Sequence, residues 1–405
     1  PEWRDTRARD RAAVLFRAAE MMRGELPELA ALETYEAGKT IREADADVTE
    51  AIDFLEYYGR EALRLDPPRR VGHAPGEVNQ YFYQPRGVAA VIAPWNFPLA
   101  ILTGMASAAL VAGNTVVMKP AEQTPLVGAQ LARILRAAGA PSGTVNLLQG
   151  LGEDVGEALV VHPEVAVIAF TGSRAVGLHI MQRAAERPGR AWIKKVIAEL
   201  GGKNAIIVDA DADLDVAVLE VVASAFGYQG QKCSACSRAI VLEPAYDEFV
   251  RRLVEATASL RIGPPDDPAS RLGPVISAEA RSTIREYIAR GEREATPALA
   301  TPEPPGGWPD GGYYVGPHVF TGVAPGAVIA QEEIFGPVLA VIKARDLDEA
   351  LEIANGTSYA LTGGLISRSP AAIARCRRDF RVGNLYINRG ITGAMSTSTR
   401  SGASP

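Results

Sequence analysis

The sequence predicts an α/β protein, built of doubly wound, mostly parallel sheets behind a helical N-terminal segment. Two observations carry this. From residue 11 to about 63, apolar residues recur at three- and four-residue intervals; from residue 87 onward, short apolar runs alternate with helix-length segments. Strand, helix, strand at that spacing builds parallel βαβ units. The chain has 405 residues, enough for two or three domains at ~150 residues each. It is 47% hydrophobic and 22% charged, which argues against a disordered chain. Lys and Arg number 42 against 48 Asp and Glu, a net charge of −6 spread without long like-charge blocks. Nothing in that pattern attracts nucleic acid or an anionic membrane surface.

Taken in order, the first elements are helices. Ala12, Leu15, Ala18, Ala19 and Met22 form one apolar stripe, and Ala51, Phe54, Leu55 and Tyr58 a second. Pro67, Pro68, Gly72, Pro75 and Gly76 then mark a turn-rich connection. Strands are expected at 87–93, 115–118, 145–148 and 165–170, with helices at 99–111, 125–138, 153–161 and 174–186. A second βα set begins near Ile197, with strands at 205–208 and 239–242 and helices at 214–226 and 246–259. The stretch 293–312, with Pro297, Pro302, Pro304, Pro305 and Pro309 among glycines, reads as a surface excursion. Strands near 338–342 and 384–388 follow. The most apolar stretch, 97–112, is broken by Pro98, Thr103 and Gly104 and falls short of a bilayer span. Three cysteines are too few for a disulfide scaffold, so a reducing cytoplasm is expected. The chain opens on Pro1 and its last ten residues, 396–405, are rich in Ser, Thr, Gly and Ala; the expectation is a piece of a longer protein with an unstructured end.

Several segments carry chemistry. Gly230-Gln231-Lys232-Cys233-Ser234-Ala235-Cys236 places thiols between a helix and a strand. A thiol attacks only as thiolate, which a nearby lysine or helix terminus favours. The alternatives are an inert buried cysteine or a C-x-x-C metal or redox pair. Zinc needs two further ligands, and His73, His162, His179 and His318 have no paired spacing. Thirty-four residues upstream, Glu199 ends an apolar strand before Gly201 and Gly202. Burial there raises a carboxyl toward a useful base; the alternative is a solvated strand cap.

Two loops suit phosphate. Phe170-Thr171-Gly172-Ser173-Arg174-Ala175-Val176-Gly177 follows a strand and opens a helix, where amides meet an anion. The segment Gly150-Leu151-Gly152-Glu153-Asp154-Val155-Gly156 is a loose dinucleotide fingerprint. Glycines at strand-to-helix turns also serve backbone geometry alone. Ala37-Gly38-Lys39-Thr40 ends like a P-loop, but Glu33 stands where the first glycine belongs and a helix precedes it. Pro94-Trp95-Asn96-Phe97-Pro98 ends another strand, and an Asn amide there suits a developing oxyanion. Lys119-Pro120-Ala121-Glu122 ends the next, with a Lys and a Glu spaced to hold the two hydroxyls of a ribose. Loop architecture is the alternative for both.

In order and spacing, 94–98, 119–122, 170–173, 199–203, 230–233 and Glu333-Ile334-Phe335-Gly336-Pro337 together resemble the aldehyde dehydrogenase superfamily over nearly the whole chain. The segments 226–238 and Tyr386-Ile387-Asn388-Arg389-Gly390-Ile391-Thr392-Gly393-Ala394 most resemble its L-glutamate γ-semialdehyde (1-pyrroline-5-carboxylate) branch. The resemblance implies a Rossmann-type cofactor domain with the N-terminal helices over 1–198. It further implies an α/β catalytic domain over 199–383 and a remnant of the C-terminal strand and tail over 384–405. Cys233 would be the nucleophile, Glu199 the general base, and Asn96, with the Cys233 N–H, the oxyanion hole. Phe97 and Ser234 would meet the substrate. NAD would lie against Pro94, Trp95, Lys119, Glu122, Gly172, Ser173, Gly177, Glu333 and Phe335. Glu122 beside the adenosine ribose would favour NAD over NADP. The implied reaction is oxidation of a small aldehyde through a Cys thioester, in proline degradation, with no metal. The parent would be a homo-oligomer or fused to a proline dehydrogenase. After Met395 the sequence departs from the Pro-Phe-Gly-Gly stretch and substrate-anchoring loop of that family. A cofactor-binding fragment with little activity, or an aldehyde dehydrogenase of other specificity, is therefore the alternative.

Overall fold

The computed structural model describes residues 2–186, 193–304, 307–308 and 311–393. The chain divides into two compact units, Pro1–Leu200 and Gly201–Pro405. The last residues, 394–405, on which the expectation of an aberrant tail falls, lie outside the described residues.

The first unit opens with helices α1 (Glu2–Asp5), α2 (Ala8–Gly24), α3 (Leu26–Ala37) and α4 (Ile41–Leu65), then a ribbon of β1 (Arg69–Arg70) and β2 (Gln80–Tyr81). The stripe predicted on α2 is the face it buries: Ala12, Leu15, Ala18, Ala19 and Met22 are inaccessible to solvent. At Gly59 of α4 a Cβ would stand 2.5 Å from the Phe16 ring, so glycine sets how closely α2 and α4 approach. The ribbon exposes Val71, Val78, Tyr81, Phe82 and Tyr83. There follow β3 (Val88–Ile92), α5 (Ala100–Val111), β4 (Thr115–Lys119), α6 (Pro125–Ala137), β5 (Val145–Leu147), a π-helical turn at Gly152–Gly156, α7 (Glu157–Val161), β6 (Val165–Thr171), α8 (Arg174–Glu186) and β7 (Lys195–Glu199). Their sheet runs β5-β4-β3-β6-β7, all parallel. The order reverses between β3 and β6, and in such sheets the crevice beyond the strand carboxyl ends at that reversal is where ligands bind.

The second unit contains β8 (Asn204–Val208), α9 (Leu214–Phe226), a 3₁₀ turn at Gly227–Gly230, β9 (Cys236–Leu242), α10 (Glu243–Ala258), α11 (Ala278–Glu294), β10 (Thr296–Ala300), β11 (His318–Thr321), α12 (Val328–Gln331), β12 (Val338–Ala344), α13 (Leu347–Asn355), β13 (Thr362–Ile366), α14 (Pro370–Asp379) and β14 (Asn384–Ile387). The order is β10-β11-β12-β9-β8-β13-β14, with only β10 antiparallel. Central strands such as β6 and β8 are buried along their whole length, as sheets covered on both faces require. The fold is thus the expected α/β one. Among the described residues no helix is long and apolar enough to cross a membrane.

Two expectations need correction. The strand at Ile197 does not open the second set; β7 pairs with β6, Thr171 opposite Glu199, and closes the first sheet. The stretch 293–312 is not only a surface excursion, because α11 runs to Glu294 and Thr296–Ala300 pairs antiparallel with β11. Proline masked that strand. Pro297 is tolerated because β10 is an edge, and the pairing register shifts between Pro297 and Leu299.

Candidate active site

In the first unit the candidate residues gather at the carboxyl ends of one sheet. β3 leads into Pro94, Trp95, Asn96 and Phe97; of these Asn96 is buried and the other three half-buried. Lys119 ends β4 almost wholly buried, and its backbone carbonyl accepts from the Ala93 N–H (3.1 Å), tying the two strand ends together. The Lys119 Nζ donates to the Pro120 carbonyl (3.1 Å) and to Glu122 Oε2 (3.4 Å), and the Glu122 side chain faces solvent. Glu36 of α3 accepts from the Leu126 and Val127 amides (2.7 and 2.9 Å), which satisfies the opening of α6.

β6 delivers the next group. Ser173 is exposed at the start of α8, where its Oγ accepts from the Val176 N–H (3.3 Å). The Gly172 N–H donates to the Glu199 carbonyl (3.1 Å), so the glycine turn and the end of β7 are held as one piece. Gly177 has a packing role: a Cβ there would stand 2.3 Å from Leu200. Glu199 is exposed at the end of β7, yet partial desolvation of its carboxyl by the surrounding protein pushes the pKa above the ordinary carboxylate range. Its charge in turn is felt by Tyr58 of α4. Gly38-Lys39-Thr40 forms no anion cradle. Gly38 ends α3 in the left-handed region (φ 64°) and Lys39 is wholly buried.

In the second unit the candidates gather at the opposite pole, the amino ends of the strands. Cys233 lies in the turn that enters β9 and is half-buried. Of the three free thiols it is the accessible one. Burial pushes Cys236 up to about 12 and Cys376 up to about 11, leaving both protonated and inert at neutral pH. Asn204, first residue of β8, holds the turn that carries Cys233. Its Nδ2 donates to the carbonyls of Cys233 (2.7 Å) and Ala235 (2.9 Å), and its Oδ1 accepts from the Thr362 N–H (3.0 Å). Thr362 also donates through Oγ1 to the Ser234 carbonyl (3.4 Å). Gly202 must be glycine, since a Cβ would meet the Cys233 carbonyl at 2.3 Å.

The approach to Cys233 is strained and pinned. Tyr228 and Gln229 are both buried in the left-handed region (φ 50° and 56°), a conformation that costs about 1–3 kcal/mol per residue. Gln229 Nε2 donates to the Pro274 carbonyl (2.6 Å), and Gln231 Oε1 accepts from the Ile276 N–H (3.0 Å). Gly230 (φ +70°) has no room for a Cβ, which would stand 2.3 Å from the Gly336 carbonyl. That contact brings the second motif of the unit against the first. Phe335 is left-handed too (φ 55°), and Glu333 Oε1 accepts from the Gly202 N–H (2.9 Å) with its carboxyl pushed up by burial. Beneath them, burial and then Arg238 lower the wholly buried Lys203 to about 7. Arg238 donates to the carbonyls of Lys203, Ile353 and Ala354, each at 2.9 Å, and so ties β9 to the end of α13.

The carboxyl-end rule therefore describes the first unit's residues and not the second's. Asn204 lies next to a motif and Gln229, Gln231 and Arg238 lie within one, but nothing in the sequence singles out their side chains, and their roles follow from contacts with residues distant in the chain.

The sequence profile of the aldehyde dehydrogenase family matches residues 1–403. The chain is 52% identical over 396 residues to the 1-pyrroline-5-carboxylate dehydrogenase of Geobacillus thermodenitrificans, covering 97% of this chain and 76% of the relative. It is 49% identical over 394 residues to the Bacillus subtilis enzyme of the same name, with the same coverage. The Thermus 1-pyrroline-5-carboxylate dehydrogenase solved with bound NAD superposes with a TM-score of 0.94 at 49% identity, over 97% of this chain and 76% of that one. Proline utilization A from Bdellovibrio bacteriovorus gives a TM-score of 0.94 at 52% identity, over 97% of this chain and 41% of that one. From its motifs, its two α/β units and these matches, the chain belongs to the aldehyde dehydrogenase family.

Proposed function

We propose that this chain oxidises L-glutamate γ-semialdehyde, the open form of 1-pyrroline-5-carboxylate, to L-glutamate with NAD, as an NAD-dependent aldehyde dehydrogenase of proline degradation. Identity of about half the residues with enzymes of that name, across nearly the whole chain, carries the reading. Proline utilization A, of which a related protein is described as bifunctional, supports fusion of such a chain to a proline dehydrogenase. Free thiols fit a cytoplasmic setting.

The residues present suit NAD. Glu122 offers an exposed carboxylate steadied by Lys119 at the carboxyl end of β4, and the opening of α8 presents Gly172 and Ser173 where amides attract phosphate. Glu333 and Phe335 supply a carboxylate and a ring for the nicotinamide end. Bound there, NAD supplies the hydride acceptor.

The chain's own groups do the rest. Cys233, as thiolate, adds to the aldehyde carbon and forms a C–S bond while the carbonyl oxygen becomes an oxyanion. The Asn96 side-chain amide and the Cys233 N–H donate to that oxygen, a contribution of about 3–4 kcal/mol for one well-placed donor. Loss of hydride leaves a thioester on Cys233. Glu199 then takes a proton from water, the hydroxide adds to the thioester, and the thiolate departs as the acid is released. Burial raises the carboxyl above the ordinary glutamate range, which makes it a stronger base for that duty.

The test is NAD reduction by the purified chain with L-glutamate γ-semialdehyde. Activity is expected to vanish in Cys233→Ser while NAD still binds. Ordinary turnover in that variant removes the nucleophile, and preference for an unrelated aldehyde removes the substrate.

A further inference from the structure

The P-loop-like Gly38-Lys39-Thr40 segment ends in a buried ion cluster that the mechanism above leaves unused. Glu33, Lys39 and Asp47 are each wholly shielded from solvent. Lys39 Nζ donates to Asp47 Oδ2 (2.8 Å) and lies 3.5 Å from Glu33 Oε2. It also donates to the backbone carbonyl of Asn96 (3.0 Å) and sits 4.4 Å from the centre of the Phe97 ring. Asp47 Oδ1 accepts from the Ala100 N–H (3.0 Å), at the first residue of α5. One ammonium and its partner carboxylate thus grip the chain on both sides of the turn that carries Asn96.

Charge in such a place is costly, since apolar side chains of the same volume pack as well or better. Burial opposes the Lys39 charge, but Asp47 and Glu33 outweigh it and hold the pKa above the ordinary lysine value. Burial, then Asp47, holds Glu33 well above the carboxylate range, while the Lys39 charge pulls it the other way. What the cluster adds to packing is a hydrogen bond to the peptide that bears the Asn96 amide.

We propose that Lys39, anchored by Asp47, is a positioning residue for Asn96, fixing the Asn96 peptide so that its side-chain amide is held for the oxyanion. The proposal rests on the reading of Asn96 as oxyanion donor. A donor displaced by a fraction of an ångström keeps substrate affinity and loses rate, because it acts on charge that exists only in the transition state.

The experiment is a double-mutant cycle in the full chain, with L-glutamate γ-semialdehyde and NAD. Lys39→Met alone strands Asp47 as a lone buried charge, so Lys39→Met/Asp47→Asn, which removes both charges at similar volume, is the principal variant. Melting temperature and NAD affinity report its folding. Asn96→Ala is expected to lower kcat ~10²–10³-fold. The neutral pair is expected to lower kcat ~10-fold or more, with KM and NAD affinity changed less than about threefold. Added to Asn96→Ala, it should cost nothing further, since there is no amide left to position. Wild-type kcat in the folded neutral pair, or losses that multiply in the triple variant, overturn the positioning role while leaving Asn96 as donor. Wild-type kcat in Asn96→Ala overturns the donor reading and this proposal with it. As a second variant, Asp47→Asn keeps an acceptor for Ala100 and leaves Lys39 the Glu33 carboxyl at 3.5 Å in place of the Asp47 carboxylate at 2.8 Å; it should show a smaller kcat loss of the same kind, and an unchanged kcat counts against the proposal.

Discussion

The base role proposed for Glu199 rests on an environment that keeps it from being an ordinary glutamate. Burial raises its carboxyl pKa, and the raised value sets the sign of a pH effect. Only the ionised form accepts a proton from water. Turnover should therefore rise with pH through the Glu199 pKa, with the inflection above the ordinary glutamate range, and fall as pH drops below it. Glu199→Gln leaves thiol addition intact but removes the base. We expect one equivalent of NADH per Cys233 in a rapid phase, then turnover slowed by ~10²–10⁴-fold and without that inflection. Stopped-flow absorbance checks it; steady turnover of Glu199→Gln at the wild-type rate excludes Glu199 as the base. The same scale explains why one cysteine among three matters. Cys236 is three residues from Cys233 and equally conspicuous in the sequence, yet it is buried at the start of β9 and held protonated.

At the scale of elements, the strands of the second unit present the candidate residues at their amino ends, and Asn204 organises that edge. It is one side chain bonded to Cys233, Ala235 and Thr362, bridging the Cys233 turn and the start of β13. Asn204→Ala strips a donor from two carbonyls and an acceptor from an amide. At ~1–3 kcal/mol for a buried group left unpaired, a loss of about 2–4 kcal/mol of stability is expected, together with a lower kcat as the Cys233 turn loosens. Denaturant unfolding and steady-state kinetics measure the two; unchanged values in both show that the turn is held otherwise. How far such things were legible follows from their range. The alternation of strands and helices, the α2 stripe and the motif turns depend on residues close in sequence, and each appeared as read. The β10 strand did not, because an edge position forgives Pro297, and edges are defined by the sheet, not by the segment. Asn204 and Lys39 were illegible as functional residues for the same reason: their partners lie 29 to 158 residues away for Asn204 and as far as 57 for Lys39.

For the molecule as a whole, cofactor choice should be readable as stability, because a ligand that binds only the folded chain raises its unfolding free energy. At a hundredfold excess over Kd the gain is about 2.7 kcal/mol, which for units of this size raises the melting temperature by roughly 5 °C. NAD and NADP differ by a phosphate on the adenosine ribose, so the charge it meets decides between them. Two side chains compete. The Lys119 ammonium would attract a phosphate, but it is buried and already donates to the Pro120 carbonyl and to Glu122. The Glu122 carboxylate faces solvent, where its charge would repel a phosphate on the ribose. A tenfold weaker Kd for NADP corresponds to ~1.4 kcal/mol, about half of the stabilisation by NAD at the same concentration. A clearly smaller thermal shift with NADP than with NAD is expected. Glu122→Gln should bring the two shifts together by strengthening NADP while leaving NAD nearly unchanged. Equal shifts in the unmodified chain would show that the carboxylate does not meet the ribose, and would move the adenosine end of the site elsewhere.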